Sequence, residues 1–275
     1  MPTDPADAGA LLDVVTERLL AAGCVAAEEE AEELVAAAPD PATLDAWLSR
    51  REQGEPLAWI VGSMAFAGRP LRVAPDVFVP RAQTEELAAR ATDRLRAAAA
   101  AADVPGGPGR RARAADLCTG AGAVAAHLAA EVPGAAVVGV DIDARAVACA
   151  RDNGVPAVVG DVDRPPLRAR SFDVVTAVAP YVPTGEIAYL PADVRRYEPR
   201  QALDGGADGL DLVRRVVAAA ATLLRPGGWL VTEVGGDQDR ALAPALAAAG
   251  FGPATPWYDE DGDLRGLAAP RSETG

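Results

Sequence analysis

The chain has 275 residues, half of them apolar, and a formal net charge of −14. A chain of this length and hydrophobicity can bury one large core beside a small accessory module, which excludes wholesale disorder. The acidic balance argues against nucleic acid as the main partner, because phosphate binding requires a basic surface.

The sequence also lacks the marks of export, membrane insertion and metal binding. Residues 1–13 contain no basic segment followed by an apolar one, and no apolar run approaches the roughly 20 residues that span a bilayer. The three cysteines are widely spaced, and the single histidine, His127, cannot form a histidine-rich metal site. We therefore expect a cytoplasmic protein with free thiols, without a metal ion and without membrane partners.

Three amphipathic segments begin the chain. Apolar residues recur at helical spacing over 6–22, 26–38 and 41–52. Asp40 followed by a proline is a typical helix start, with a capping side chain and a proline in the first turn. These segments predict a small helical module over residues 1–58.

A β-hairpin is predicted to link this module to the main domain. Apolar and polar residues alternate over 59–81, around the turn signal at Gly68. A long helix, predicted to be capped by Thr84, follows and opens a main domain over residues 82–275. The loop at 103–113, rich in proline, glycine and arginine, is the clearest boundary within that domain.

From Ala114 onward, short apolar strands alternate with helices. The strand sequences are AADL, AAVVGVD, PAVVGD, FDVVTAV and GGWLVTEVG, interspersed with helices predicted over 122–131, 143–152 and 208–224. A last helix over 238–249 leads into a terminal hairpin, FGPATPWYD and LRGLAAP. This alternation predicts an α/β fold with a doubly wound, mostly parallel, Rossmann-like sheet, whose ligands bind at the carboxyl ends of the strands.

Glycines and carboxylates follow three successive strands of this sheet. In the loop DLCTGAG, Gly120 and Gly122 allow the backbone to approach a ligand, and the helix that follows favours an anion at its N-terminus. Asp141 ends the next strand, where it can accept hydrogen bonds from ribose hydroxyls, and Asp161 ends the third, where it can accept one from an adenine amine. The alternatives are a tight turn without a ligand and, for Asp141, a helix cap.

Together, strand ends of this kind predict a nucleoside site, because their side chains meet at one edge of the sheet. The glycine spacing is not GxGxxG, so a dinucleotide is less favoured. The predicted cofactor-binding residues are Thr119, Gly120, Ala121, Gly122, Asp141, Ile142, Asp161 and Val162.

With this glycine loop and Asp141, the sequence resembles the class I S-adenosylmethionine-dependent methyltransferases. It looks most like the protein-(glutamine-N5) methyltransferases, the family that modifies peptide chain release factors, over roughly residues 55–240. The segments that carry this likeness are PLAWIVGSMAFAGRPLRVAPDVFVPRAQTEEL, YEPRQALDGGADGLDLVRRV and LLRPGGWLVTEVGGDQ. The resemblance implies S-adenosylmethionine as cofactor and a glutamine side chain of a protein, such as a release factor, as methyl acceptor.

The family's Asn-Pro-Pro-Tyr motif stands here as Val178-Ala179-Pro180-Tyr181, to which the resemblance assigns the catalytic role. In the family, the asparagine side chain and the carbonyl after it hold the glutamine amide. Val178 neither accepts nor donates a hydrogen bond, which we expect to cost about 1–3 kcal/mol of acceptor binding. Thr176 faces the same side of the strand but lies about 7 Å further back, too far to replace the asparagine.

The resemblance also implies that Arg81, Glu85 and Tyr181 bind the substrate. A structural ion pair between Glu198 and Arg200, in the segment YEPR, is expected to brace the loop after Tyr181.

The residues leave three functions open. The first is glutamine methylation of a protein, favoured by the retained linker and helical module. The second is N- or O-methylation of a small molecule, favoured by the more apolar pocket that Val178 creates. The third is cofactor binding without catalysis, against which the intact cofactor residues argue.

Overall fold

A helical module begins the chain. The computed structural model describes residues 5–103 and 110–273. The three predicted helices are found within one residue of their expected bounds, and a short fourth helix follows them. They pack around an apolar cluster of their own, which includes Leu19, Leu34 and Leu48. The helices are α1 (Pro5–Ala21), α2 (Ala27–Ala37), α3 (Pro41–Glu52) and α4 (Leu57–Val61).

The predicted β-hairpin follows the module. Its antiparallel strands are β1 (Ser63–Phe66) and β2 (Arg69–Arg72), so it is shorter than the predicted 59–81. The later start arises because α4 continues to Val61 and ends at Gly62, whose φ of +82° stops the helix.

The main domain opens with helix α5 (Thr84–Asp103). Thr84 was expected to cap this helix but is its first residue, and its hydroxyl is buried without a hydrogen-bond partner. Most of the loop predicted at 103–113 lies outside the described residues.

A mostly parallel sheet of seven strands forms the centre of the described chain. The strand order is β5-β4-β3-β6-β7-β9-β8, and the last two strands form the predicted antiparallel terminal hairpin. The order reverses between β3 and β6, which is where open α/β sheets bind their ligands. The strands are β3 (Arg113–Leu117), β4 (Ala136–Asp141), β5 (Ala157–Val159), β6 (Phe172–Ala177), β7 (Leu224–Glu233), β8 (Thr255–Tyr258) and β9 (Leu264–Pro270).

Helices cover both faces of the sheet, as the doubly wound prediction requires. One apolar core joins α5 to the helices after β3 and β4 through residues such as Leu87, Leu128 and Val147, and a second buries Val217 and Leu242 on the other face. The remaining helices are α6 (Ala123–Glu131), α7 (Ala144–Asp152), α8 (Ala192–Tyr197), α9 (Asp211–Leu223) and α10 (Gln238–Ala248). None of the helices in the described ranges has the length and hydrophobicity needed to cross a membrane.

Helix α8 was not predicted, and it connects the site region to the helical module. Its last residue, Tyr197, donates a hydrogen bond from its hydroxyl to the Gln53 carbonyl at 3.0 Å. The same ring lies edge-on to Trp59, with 6.4 Å between ring centroids. The segment after β6 is therefore held against the module rather than extending into solvent.

Candidate active site

A cavity of about 660 Å³ opens where the strand order reverses. The carboxyl ends of β3, β4 and β6 form its floor, and the segment before α5 forms one wall. The predicted residues that line it are Arg81, Thr119, Gly120, Ala121, Asp141, Ile142, Val178, Ala179, Pro180 and Tyr181. Residues predicted to bind a cofactor and residues predicted to bind the methyl acceptor thus line the same cavity.

The glycine loop bends sharply between β3 and α6. Gly120 and Gly122 have φ values of +54° and +82°, in the left-handed region that glycine adopts without cost. A Cβ at Gly122 would lie 2.9 Å from that of Ala150, so the loop also packs closely against α7. Two of its amides are already used, because Gly120 N–H donates to Asp141 and Gly122 N–H to the Thr119 carbonyl. Binding of an anion at the start of α6 stays a prediction, and it would depend on other amides than these two.

Asp141 connects the glycine loop to the start of α7. Its Oδ2 accepts from Gly120 N–H at 2.9 Å and its Oδ1 from Asp143 N–H at 3.0 Å. Each carboxylate oxygen keeps a further lone pair for a hydroxyl donor in the cavity. Burial raises the pKa of Asp141, while these two backbone hydrogen bonds lower it. The predicted alternative, a helix cap, is filled by Asp143, whose Oδ1 accepts from Arg145 N–H.

Ile142 presents an apolar surface next to that carboxylate. Its side chain is 65% exposed although it is large and hydrophobic, and it lines the cavity. An exposed isoleucine beside a hydrogen-bonding carboxylate suits a ligand with a flat apolar face and hydroxyls, as a nucleoside has.

Asp116, the acidic residue of β3, is a cavity residue that the sequence reasoning did not single out. It is only 2% exposed and accepts hydrogen bonds from the Thr119 hydroxyl at 2.6 Å and the Thr176 hydroxyl at 2.7 Å. Burial raises the pKa of Asp116 to about 6, against the two hydroxyls that lower it. The signal was available, since an aspartate in an otherwise apolar strand end needs buried partners or a ligand.

Cys118 lies in the same loop with an unusual backbone. Its φ is +55°, in the left-handed region, and its side chain lines the cavity. Burial raises the pKa of the thiol above its ordinary value, and the charges of Asp141 and Asp116 add to the effect. A neutral thiol is a poor nucleophile, so this cysteine is not suited to covalent catalysis.

This backbone strain predicts opposite responses to two substitutions. Cys118→Val should destabilise the fold by about 1–2 kcal/mol, because a β-branched side chain tolerates positive φ poorly. Cys118→Gly relieves the strain but raises the conformational entropy of the unfolded chain. These effects oppose each other, so its free energy of unfolding should stay within about 1 kcal/mol of the wild type. Urea unfolding of both variants measures this difference. Equal stability of the two would show that the loop does not hold this conformation.

Asp161 and Val162 lie beside the cavity rather than in its lining. The Asp161 Oδ1 accepts from Arg215 at 2.7 Å and from Asp163 N–H at 3.0 Å. Val162 is buried in the apolar core under α9. Contact of Asp161 with an adenine amine stays a prediction, and it requires the carboxylate to serve the ligand through its other oxygen.

The loop after β6 carries the acceptor motif and is tightly braced. The Tyr181 carbonyl accepts from Gln238 Nε2 at 2.8 Å, and the Tyr181 hydroxyl accepts from Gln83 Nε2 at 2.9 Å. Ala179 is buried, whereas Val178 and Tyr181 are partly exposed at the cavity. The glycine-rich segment 204–211 packs on this loop, where Gly205 N–H donates to the Val182 carbonyl.

The expected ion pair between Glu198 and Arg200 is wrong. Glu198 is 6% exposed and binds Arg81 at 2.6 Å, whereas Arg200 pairs with Asp204. Arg81 lines the cavity next to the buried Glu198 carboxylate, whereas the Arg200 side chain is largely exposed. Arg81 also stacks on Phe78, with its guanidinium carbon 4.7 Å from the ring centroid.

Glu85 binds the turn of the β-hairpin. Its Oε1 accepts from Ala67 N–H at 2.8 Å, and its side chain is not among those lining the cavity. The structure thus places Arg81 and Tyr181 at the site and Glu85 behind it.

The arrangement fits an adenosyl amino acid. Asp141 offers acceptors to ribose hydroxyls, Ile142 an apolar contact, and the buried Asp116 a negative site for a cation. Within residues 5–103 and 110–273, no three metal-ligating side chains come together where they could hold an ion.

Among solved structures, the fold is similar to the catalytic domain of hMettl16 in complex with the MAT2A 3'UTR hairpin 6. The TM-score is 0.53 at 15% identity, over 74% of this chain and 76% of that one.

A family model described as "Methyltransferase domain" matches residues 114–197. Sheet, site and match together define a class I S-adenosylmethionine-dependent methyltransferase. The proteins named release factor glutamine methyltransferase from Cereibacter sphaeroides and Geobacter sulfurreducens are 34% and 37% identical to this chain, over 94% and 74% of it and 96% and 69% of their own lengths. The chain belongs to the release factor glutamine methyltransferase family.

Proposed function

We propose that this enzyme methylates the side-chain amide nitrogen of a glutamine in a protein, such as a peptide chain release factor. The observation that carries the proposal is that Asp141 and the loop containing Tyr181 line one and the same cavity. The relatives, which bear the name release factor glutamine methyltransferase, support this acceptor. We expect the enzyme to act in the cytoplasm, without nucleic acid or membrane partners.

The cofactor half would be held by residues at the ends of β3 and β4. Asp141 would accept from the ribose hydroxyls, Ile142 would cover the adenine, and the buried charge of Asp116 would favour the ammonium end. S-adenosylmethionine, when bound, supplies a methyl group already activated by its sulfonium.

The acceptor half has to orient a weak nucleophile. An amide nitrogen reacts poorly, so positioning and the exclusion of water supply much of the rate. The Ala179 carbonyl is retained as an acceptor for the amide N–H, and Tyr181 forms a rigid wall because its carbonyl and hydroxyl are both fixed. No residue is required to take the proton before transfer; the product can release it to water afterwards.

A small-molecule acceptor is the second candidate, and Val178 is the observation in its favour. Its side chain lines the cavity and packs against the apolar core on the α5 face. That surface suits an apolar group next to the reacting atom.

Transfer of labelled methyl from S-adenosylmethionine tests these alternatives. Purified release factor and a metabolite extract are incubated separately with the enzyme. Label on a glutamine of the release factor supports the proposal, and label only among metabolites supports the second candidate. If the protein bound the cofactor but transferred methyl to neither sample, it would be a cofactor-binding protein without catalysis, and both candidate functions would be contradicted.

Val178→Asn restores the side-chain amide at the start of the motif. We expect kcat/KM for glutamine methylation to rise by about tenfold, because one hydrogen bond made in the transition state contributes about 1–1.5 kcal/mol. Steady-state kinetics on release factor measure the gain, with Val178→Leu as the control that keeps the site apolar. If the asparagine variant gains no more than the leucine variant, the acceptor is not an amide held at this position.

A further inference from the structure

Gln83 is a side-chain amide whose carbonyl oxygen the function described so far does not use. It lies on the segment before α5, is partly buried, and lines the same cavity as Val178, Ala179 and Tyr181. It thus belongs to the wall that faces the acceptor loop, although it lies 98 positions before Tyr181 in the chain.

The amide of Gln83 is oriented by its neighbours. Its Nε2 donates to the Tyr181 hydroxyl oxygen at 2.9 Å. Glu233, at the end of β7, is 2% exposed, and its Oε1 has no hydrogen-bond partner in the described structure. Burial raises the pKa of Glu233, while the Tyr181 hydroxyl and the Gln83 amide beside it lower that pKa by favouring the charged form. A carboxylate only accepts hydrogen bonds when it is ionised, so in that form it attracts the Tyr181 proton and the Gln83 NH₂ group alike.

This arrangement decides which end of the Gln83 amide stays available. The NH₂ group faces the phenol and the carboxylate, both of which accept. The carbonyl oxygen is repelled by the same carboxylate, and Gln83 lines the cavity, so we expect this oxygen to serve a donor there. Because Arg81 is a donor only and is bound to Glu198, it cannot supply that acceptor.

We propose that the side-chain carbonyl of Gln83 accepts a hydrogen bond from the N–H of the methyl acceptor and so supplies the contact that Val178 cannot make. The Glu233–Tyr181 pair is then the positioning element that keeps this oxygen directed at the substrate. The inference rests on the proposed function, since it requires an acceptor that carries an N–H. It makes Gln83 a specificity-determining residue for amides.

Gln83→Met tests the proposal, since methionine keeps the length of the side chain and removes its amide. We expect kcat/KM for release factor to fall about ten- to a hundredfold, while the dissociation constant of S-adenosylmethionine changes by less than about threefold. Calorimetry with the cofactor and the melting temperature confirm that the variant is folded. Gln53→Met, at an exposed glutamine of the helical module, is the matched control and should leave kcat/KM unchanged.

A double-mutant cycle with Val178→Asn separates substrate contact from general damage. If the two amides serve the same N–H group, the asparagine should raise kcat/KM more in the Gln83→Met background than in the wild type, by about tenfold. Equal gains in both backgrounds, or full activity of Gln83→Met, would overturn the proposal. Tyr181→Phe is the second variant; it removes the anchor of the amide and should lower kcat/KM about threefold or more.

The outcomes also distinguish this inference from the proposed function. If wild-type enzyme methylates no amide, the proposed function fails and this inference with it. If wild-type enzyme methylates release factor and Gln83→Met does so equally well, only the inference fails.

Discussion

Replacing Asp141 by alanine is expected to weaken S-adenosylmethionine binding by about a hundredfold or more. Each hydrogen bond to a charged group contributes about 1.5–3 kcal/mol, and two ribose hydroxyls would lose their acceptor. The Gly120 and Asp143 amides would lose theirs too, because Asp141 joins both at 2.9 and 3.0 Å. The shape of the glycine loop would therefore change together with the contact. Isothermal calorimetry with the cofactor measures the loss.

Asp143→Ala provides the comparison, because Asp143 carries a carboxylate two residues further along. Its Oδ1 caps α7 by accepting from Arg145 N–H at 2.8 Å. Loss of such a cap costs about 1 kcal/mol of stability. We expect the melting temperature of Asp143→Ala to fall while its cofactor affinity stays within about threefold of the wild type. If the two alanine variants bound the cofactor equally well, the ribose role of Asp141 would be refuted.

One buried carboxylate connects the two halves of this site. Asp116 accepts from Thr119, in the cofactor loop, and from Thr176, two residues before Val178. Thr176 is fully buried and directed at Asp116, so it is not free to compensate for the missing asparagine. Compensation has to come from another element, and Gln83 lies on the segment that closes the cavity opposite the motif.

The fold and the meeting of the glycine loop with Asp141 could be predicted because their signals are local. Strand–helix alternation gave the sheet, and parallel strands necessarily bring their carboxyl ends to one edge. Asp141 and the Gly120–Gly122 loop therefore met in the structure as expected. The short α8 was missed because six residues carry too little periodicity to distinguish a helix from a loop.

The pairings of side chains could not be predicted because they join distant parts of the chain. Glu198 was assigned to Arg200, two positions away, whereas it binds Arg81, 117 positions away. Asp161 follows its strand as expected, but Arg215 on α9 binds its carboxylate, and Asp161 does not line the cavity. Sequence spacing says which residues reach an edge of the sheet, but not which partner each one finds there.

Gly209→Ala should abolish most of the methyl transfer without affecting cofactor binding. Gly209 has a φ of +74°, and a Cβ there would overlap the Tyr181 carbonyl oxygen and the Gln238 amide nitrogen. These two groups form the hydrogen bond at 2.8 Å that fixes the acceptor loop. Strain at positive φ and overpacking each cost about 1–3 kcal/mol. We expect stability to fall by about that much and kcat to fall about a hundredfold, since a displacement near 1 Å has such an effect on a positioned reaction.

Gly185→Ala is the matched control for this prediction. Gly185 lies four residues after Tyr181 in the same loop and is exposed. A Cβ added there would have no neighbouring atom within 4 Å. Its kcat and melting temperature should remain those of the wild type, and both variants should bind S-adenosylmethionine normally because neither glycine lines the cavity. If Gly209→Ala kept wild-type kcat, the reaction would not depend on a fixed Tyr181 carbonyl. If both variants lost activity equally, the whole segment rather than this one contact would control the acceptor.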